Sequence, residues 1–439
     1  MSNTTLHNIA PTPPMGWNSW DCFSVTVTEK EVKQNADFIA KNLKPYGWEY
    51  VIVDLAWFAP GATHETYKNV NIDQLIDGYG RLIPDPEKFP SSAGGKGFKP
   101  LADYIHGLGL KFGIHIMRGI PVQAVQQNTP IKGTEFKAQD ISYDKEKCPW
   151  YNSLRTLNFA HEGAQKYYDS IFELYASWDV DYIKADDVNA WHEVENSDGS
   201  PTGVGSPYRI DDIEGIRKAI DGCGHPMVLS ISPGGPETTI INHLRNHANL
   251  WRISADFWDH WGSLLKQMER CANWAPFVTE NHWPDADMLP LGYMPRGESG
   301  GQNRSTNFTQ EEQITLMTLW CIFRSPLMFG GNLPECDDFT IELISNGEVL
   351  EVNQKSKGGK QVWKDEKKIV WTATLDGDTV LAVFNISDSD QSFHVNIAEL
   401  GIDSFNAIRD LWKKEDLITN RNSLQLDIPA HGAMMLRIR

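Results

Sequence analysis

A lysine and an aspartate stand two residues apart at the end of an apolar run, residues 180–186 of the chain. The run has the composition of a β-strand, in which side chains alternate between two faces, so Lys184 and Asp186 point the same way. An ammonium group beside a carboxylate favours the ionised carboxylate, which a nucleophile or a general base must be. A buried structural ion pair would produce the same pattern. These two residues alone therefore leave a catalytic and a structural interpretation open.

Further acidic residues follow other predicted strands. They are Asp54 after the second strand, Asp256 after the sixth, and Asp285 and Asp287 after the seventh, and Arg252 shares its strand parity with Asp256. Any one carboxylate could cap the helix that follows it, but together at one face of a barrel they would form an acidic pocket. Glycoside hydrolysis needs two carboxylates that flank one pocket, one as nucleophile and one as acid/base.

Metal-dependent chemistry is the competing interpretation. His243 and His247 stand one helical turn apart, but the general-base glutamate of the H-E-x-x-H motif is missing. We expect this pair on the surface of a helix between two strands, away from the catalytic end. The six cysteines are scattered without a C-x-x-C pair, so free thiols are expected. We therefore expect catalysis without a metal ion or any other cofactor.

Strand and helix patterns alternate along the first three quarters of the chain, which predicts parallel strands joined by helices. About eight such units make a (β/α)8 barrel, an α/β fold whose active sites lie at the carboxyl ends of the strands. The strands are predicted at 13–20, 50–54, 111–117, 180–187, 226–232, 250–254, 275–278 and 326–330, and long loops at 56–99, 118–158 and 280–304.

The pattern changes beyond about residue 350. Short, partly alternating apolar segments at 368–373, 379–385, 392–397 and 432–438 are separated by turn residues. They predict an antiparallel β-sandwich. We therefore divide the chain into a catalytic barrel over residues 1–345 and a C-terminal β-sandwich domain over residues 346–439.

The net charge restricts the possible partners of the protein, and the N-terminal sequence bears on its location. The 439 residues carry a formal net charge of −18, which argues against nucleic acid and anionic membranes as partners. The N-terminus lacks the basic and apolar regions of a signal peptide, and no run approaches membrane-spanning length. We expect a cytoplasmic protein, unless a leader has been removed, and homo-oligomerisation is left open.

Five segments form a recognisable series of motifs: TPPMGWNSW at 12–20, YGRL at 79–82, GLKFGI at 109–114, YIKAD at 182–186 and WPDADML at 283–289. In this order they resemble glycoside hydrolase family 27, the family of α-galactosidases and α-N-acetylgalactosaminidases. The first segment is the most specific. The resemblance covers residues 11–350, with a weaker match in the C-terminal domain, and it implies an oligosaccharide or glycoconjugate as substrate.

The resemblance implies double displacement with retention of configuration, with Asp186 as nucleophile and Asp256 as acid/base. Motif spacing and strand parity favour Asp186 over its neighbour Asp187. The presence of both catalytic aspartates favours an enzyme over a non-catalytic carbohydrate-binding barrel. The resemblance further implies substrate contacts for Trp17 on the pocket floor and for Asp54, Lys184, Arg252 and Asp287.

Three positions depart from the family pattern. Leu55 follows Asp54 where the family commonly has a second aspartate, which weakens the expectation of hydrogen bonds to the 4- and 6-hydroxyls of galactose. His115 stands where the family commonly has tyrosine, and we place it in the substrate pocket. Ser232 and Gly235 are small residues of the predicted specificity loop, and they would leave room for a 2-acetamido group.

These departures leave the sugar open. We expect an exo-acting enzyme that removes terminal α-linked galactose or N-acetylgalactosamine. A β-L-arabinopyranosidase and an isomalto-oligosaccharide-releasing enzyme are the alternatives within the family.

Overall fold

The central sheet consists of eight parallel strands. A computed structural model describes residues 8–64, 73–195, 201–297, 303–400, 405–417 and 423–439. The strands are β1 Met15–Asn18, β2 Tyr50–Val53, β3 Lys111–Met117, β4 Tyr182–Asp186, β5 Val228–Ile231, β6 Leu250–Arg252, β7 Trp283–Asp285 and β8 Leu327–Phe329. They neighbour one another in the order β7-β6-β5-β4-β3-β2-β1-β8. A parallel bridge from Leu289 to Phe329 links the chain just beyond β7 to β8, which confirms the predicted (β/α)8 barrel.

The barrel strands are apolar runs because both of their faces are covered. Every residue of β2 and all but the first residue of β3 are buried. The first two strands lie so close together that a Cβ atom on Gly16 would be 2.4 Å from the carbonyl oxygen of Tyr50. This packing fixes the register of the strands, and the register decides which side chains reach the carboxyl ends.

Helices follow the strands and begin at local sequence signals. A capping box opens the helix Gln310–Phe323, in which the Glu312 N–H donates to the Thr309 hydroxyl and the Thr309 N–H donates to the Glu312 carboxylate. The main helices are α1 Glu29–Phe38, α2 Lys99–Gly107, α3 Glu162–Ser177, α4 Ile210–Gly222, α5 Ile241–His247, α6 Trp261–Trp274, α7 Gln310–Phe323, α8 Asp338–Ile344 and α9 Gly347–Lys355.

The prediction of the seventh strand is wrong. Residues 275–278 are the predicted strand, but Ala275–Phe277 form a 3-10 turn and the chain enters the barrel later, at β7. Pro276 lies in the first turn of this 3-10 segment, where its missing N–H is not needed, and the strand itself contains a different proline, Pro284. The correction moves Asp285 from a loop to a strand end, in register with Arg252 of β6.

The predicted long loop over residues 118–158 contains structure of its own. Short strands at Ile120–Pro121 and Ser142–Tyr143 each pair antiparallel with Leu154–Leu157, and helices form at Val122–Gln127 and Ala138–Ile141. Strands of two residues are too short to display an alternating pattern, so the sequence did not reveal this small sheet. It follows β3 and lies near the carboxyl ends of the barrel strands.

The C-terminal domain confirms the predicted β-sandwich. Its strands are β9 Lys357–Lys364, β10 Lys368–Leu375, β11 Asp378–Asn385, β12 Gln391–Asn396, β13 Ile408–Asp410, β14 Glu415–Leu417, β15 Ser423–Ile428 and β16 Ala433–Ile438. One sheet has the strand order β9-β10-β11-β16-β13-β14, and the other pairs β12 with β15. Leu381 and Val383 of the first sheet share a core with Phe393 and Leu426 of the second.

The opposite face of the larger sheet packs on the barrel. Trp371, Ala382 and Met435 belong to the same apolar core as the barrel residues, and the Thr315 hydroxyl of α7 donates to the His431 carbonyl at 2.6 Å. The predicted boundary at 345–346 falls between α8 and α9 and stays a prediction. Within the described residues, no helix has the length and apolar character needed to cross a membrane.

Candidate active site

A buried ion pair joins two strands at the carboxyl end of the barrel. The Lys184 ammonium of β4 donates to Asp54 Oδ2 at 2.8 Å, and Asn18 Nδ2 donates to the same oxygen at 2.8 Å. The Leu55 N–H donates to Asp54 Oδ1 at 2.8 Å. Burial acts to raise the pKa of Asp54, but Lys184 and His115 lower it well below its usual range. Asp54 is therefore a fixed anion.

Asp186 has hydrogen-bond donors on both carboxylate oxygens. His115 Nε2 lies 3.0 Å from Oδ2, and the Ser232 hydroxyl donates to Oδ1 at 3.0 Å. The N–H of Asp187 also donates to Oδ1, at 2.8 Å. Burial acts to raise the pKa of Asp186, but His115 and the Lys184 ammonium lower it below its ordinary value. The arrangement keeps Asp186 ionised, as a nucleophile must be.

The adjacent aspartate is turned away from this cluster. Asp187 is fully buried and has a φ of 58°, and Arg118 Nε donates to its Oδ2 at 2.7 Å. The Ser206 hydroxyl donates to its other carboxylate oxygen at 2.9 Å. The Asp187 side chain has no exposed surface, whereas the Asp186 side chain is 15% exposed, so Asp186 is the aspartate of this pair that a substrate can reach.

Arg252 organises a second acidic group. Its Nη2 lies 2.5 Å from Asp287 Oδ2 and donates to Asp256 Oδ1 at 3.3 Å. Asp287 is buried, whereas the Asp256 side chain is 60% exposed. Burial raises the pKa of Asp287, Arg252 opposes the shift, and the nearby Asp256 and Asp285 carboxylates add to it. Asp256 is thus the carboxylate with free access to solvent, which suits an acid/base that exchanges protons with water.

The two groups are close enough to interact electrostatically. Asp287 contributes to the raised pKa of Lys184, and Asp186 contributes to the raised pKa of Arg252, in each case against the lowering effect of burial. A hydrogen bond from the Gly234 N–H to the Ser254 carbonyl, 2.8 Å long, joins the loop after β5 to the segment after β6. The structure therefore brings Asp54, His115, Lys184, Asp186, Ser232, Arg252, Asp256 and Asp287 to one end of the barrel.

Trp17, Ser232 and Gly235 are the predicted pocket residues without an ionisable side chain. Trp17 has no exposed surface, and its indole N–H donates to the Gly331 carbonyl at 2.8 Å. Gly235 has a φ of 125°, which favours glycine, and among the described residues a Cβ atom there would approach only the Ala190 carbonyl, at 4.0 Å. The Ser232 hydroxyl is bonded to Asp186 rather than exposed as a wall. The substrate contacts of all three residues stay predictions.

Sequence reasoning missed Asn18, which closes β1 and donates to Asp54, and its signal was a polar residue at the end of a buried strand. It included Asp285 among the acidic residues but placed it in a loop, whereas Asp285 closes β7.

Comparison with known families and structures agrees with this geometry. Residues 12–139 and 123–355 match the family described as alpha galactosidase A, and residues 365–438 match the alpha galactosidase C-terminal beta sandwich domain. The chain belongs to glycoside hydrolase family 27. This family 27 protein is therefore a glycosidase, as the sequence motifs predict.

Individual relatives of the family 27 protein carry different names. A variant of a family 27 β-L-arabinopyranosidase from Geobacillus stearothermophilus, solved in complex with arabinose, is 47% identical, with a TM-score of 0.92 and coverage of 99% of this chain and 98% of that one. A candidate α-N-acetylgalactosaminidase from Bacillus halodurans is 41% identical, with a TM-score of 0.84 and 97% of each chain covered. Alpha-galactosidase 2 of Arabidopsis thaliana is 26% identical over 435 residues, 98% of this chain and 90% of the relative.

The contact between His115 and Asp186 predicts a pH effect. Burial alone would raise the pKa of Asp186, and the hydrogen bond with His115 is the largest effect that lowers it. Because a nucleophile must be ionised, replacing His115 by Phe should move the acid limb of the kcat/KM profile to higher pH. The pH dependence of kcat/KM for a nitrophenyl glycoside measures this limb.

His115→Gln is the matched control, because it keeps an N–H donor near Asp186 and should move the limb less. An unchanged acid limb in a folded His115→Phe variant, or a shift to lower pH, would show that His115 does not set the ionisation of Asp186.

Proposed function

We propose that this protein is an exo-acting, retaining glycosidase that removes a terminal β-L-arabinopyranosyl group by double displacement. The observation that carries the sugar assignment is Leu55, which follows the fixed anion Asp54 where family 27 commonly has a second aspartate. The similarity to the β-L-arabinopyranosidase from Geobacillus stearothermophilus over nearly the whole chain supports it.

The two candidate sugars differ by one group. β-L-arabinopyranose has the ring stereochemistry of α-D-galactopyranose but carries hydrogen where galactose has its hydroxymethyl group. Leu55 is buried, belongs to the apolar core and has no side-chain hydrogen-bonding group. A 6-hydroxyl beside such a side chain loses its water contacts without gaining a partner, which is unfavourable. A pentopyranosyl ring has no hydroxyl to lose there.

In the proposed first step, the Asp186 carboxylate attacks the anomeric carbon while Asp256 donates a proton to the glycosidic oxygen. The glycosidic bond breaks, the aglycone leaves with the proton, and the sugar remains as an ester on Asp186. Asp256 then takes a proton from water, the water oxygen attacks the anomeric carbon, and the Asp186 carboxylate is released. Asp54 and Lys184 are proposed to bind the sugar hydroxyls.

α-D-Galactosides are the second candidate substrate, because the curated relatives that cover most of the chain are named α-galactosidases. N-acetylgalactosaminides are the third. The space that the described residues leave beside Gly235 supports them, as does the name of the Bacillus halodurans relative.

A panel of nitrophenyl glycosides separates these substrates. We expect kcat/KM to be highest for the β-L-arabinopyranoside, and higher than for the α-D-galactopyranoside by roughly 10- to 200-fold, the discrimination that one misfitting small group produces. Leu55→Asp should raise the galactoside value relative to the arabinopyranoside value by about tenfold or more, because it restores a carboxylate partner.

Leu55→Ala is the control, since it removes apolar volume without adding a hydrogen-bond acceptor and should not favour the galactoside in this way. A wild-type preference for the α-galactoside or the N-acetylgalactosaminide, together with an unchanged ratio in Leu55→Asp, would contradict the sugar assignment while leaving the family assignment intact.

The roles of the two aspartates can be tested with azide. Asp186→Ala and Asp256→Ala should each lose activity. For Asp256→Ala the loss of rate should be roughly 10²- to 10⁴-fold, the usual contribution of general acid–base catalysis. Azide should restore turnover in Asp256→Ala and give a glycosyl azide of retained configuration, because the ester on Asp186 still forms. In Asp186→Ala, azide should occupy the vacated face and give the inverted product. NMR of the azides identifies each configuration.

Asp187→Asn is the control at the neighbouring position. If this variant loses activity, azide should not restore it. The assignment fails if Asp186→Ala or Asp256→Ala keeps near-normal activity, or if the two azide products have the opposite configurations.

A further inference from the structure

Two histidines and a glutamate converge on the outer helices, away from the catalytic carboxylates. Glu214 lies in α4, and His243 and His247 lie one turn apart in α5. One ligand atom from each of the three lies within 4.8 Å of the others. Glu214 is exposed and both histidines are half-buried, so an ion from solvent can reach them.

Both imidazole rings are oriented by contacts through Nδ1. His247 Nδ1 lies 2.8 Å from the His243 carbonyl oxygen, which can only accept a hydrogen bond, so Nδ1 carries the proton and Nε2 carries the lone pair. His243 Nδ1 lies 2.8 Å from the Tyr208 hydroxyl. The two rings are stacked, with centroids 4.1 Å apart and planes 29° from parallel. Contacts of this kind fix metal-binding histidines in protein sites.

We propose that Glu214, His243 and His247 bind one zinc ion that takes no part in glycoside cleavage. Two imidazoles and one carboxylate are a ligand set for Zn²⁺, with water at the remaining position. Ligand atoms on a tetrahedral zinc ion at its usual bond lengths are about 3.4 Å apart. The distance from His243 Nε2 to Glu214 Oε1 is already 3.4 Å, so small side-chain movements complete the site.

A second cluster of similar composition is not expected to bind a metal ion. Asp103, His106 and Asp179 also lie close together, but the Lys99 ammonium bonds to Asp103 and lies 3.1 Å from Asp179 Oδ2. His106 Nε2 lies 2.7 Å from Asp181 Oδ2. An ammonium group already occupies the position of the cation, so His106 provides a matched negative control.

The proposed ion would join α4 to α5, the helices that follow β4 and β5. A ligand that binds only the folded state stabilises it by mass action, so zinc should raise the melting temperature. Catalysis should not change, because the site shares no residue with the acidic cluster at the strand ends.

Calorimetric titration of the metal-free full-length protein with zinc chloride tests the site. We expect one ion per chain in the wild type and in His106→Ala, and no saturable binding in His243→Ala/His247→Ala. Glu214→Gln alters an exposed side chain and should weaken binding without affecting folding. Tyr208→Phe keeps the ring and removes the contact to His243 Nδ1, and it should weaken binding by about 10- to 100-fold.

Melting temperature and activity complete the experiment. Zinc should raise the melting temperature of the wild type and of His106→Ala but not of the double histidine variant, while hydrolysis of a nitrophenyl glycoside stays the same with zinc and with EDTA. Activity also reports that each variant is folded. The proposal is overturned if the wild type shows no saturable binding, or if Glu214→Gln and the double histidine variant bind zinc as the wild type does.

Discussion

The ion pair between Lys184 and Asp54 is the interaction on which the active site depends. The side chains of Asp54 and Asp186 are 2% and 15% exposed, and unpaired carboxylates with so little contact to water would become protonated instead. Lys184 bonds to Asp54 at 2.8 Å and lowers the pKa of Asp186 through its charge. Loss of this one charge would leave Asp54 without its ammonium partner and would remove one of the groups that lower the pKa of Asp186, and removing one partner of a buried pair is strongly destabilising.

Strand register places this charge. Lys184 of β4 is in register with His115 of β3 and Ser230 of β5, so the neighbouring strands deliver their own end residues to the same layer. His115 reaches Asp186 directly, and Ser232, two residues beyond Ser230, reaches the other oxygen of the same carboxylate. A barrel of parallel strands therefore converts alternation along each strand into a cluster across several strands.

Much of this could be predicted from the sequence, because the barrel strands are unbroken apolar runs and Lys184 and Asp186 share a face by parity alone. The exceptions have local causes. Residues 275–278 form a short apolar segment with the composition of a strand, but Ala275–Phe277 fold as a 3-10 turn, so the predicted seventh strand comes too early in the chain. The sheet formed by Leu154–Leu157 with its short partners is too brief to leave a periodic signal. The contacts of His115 and Ser232 with Asp186 join residues more than 40 positions apart, and only the folded register reveals them.

The central claim is that Asp186 becomes covalently bound to the sugar, and Asp256→Ala allows a direct measurement. With an activated nitrophenyl β-L-arabinopyranoside, this variant should form the ester quickly and hydrolyse it slowly, since the base for the second step is missing. After an acid quench, mass spectrometry of the intact protein should show one added pentosyl group, and peptide mapping should place it on Asp186. A pentosyl group on Asp187 or Asp287, or turnover with no adduct at any time, would contradict the account.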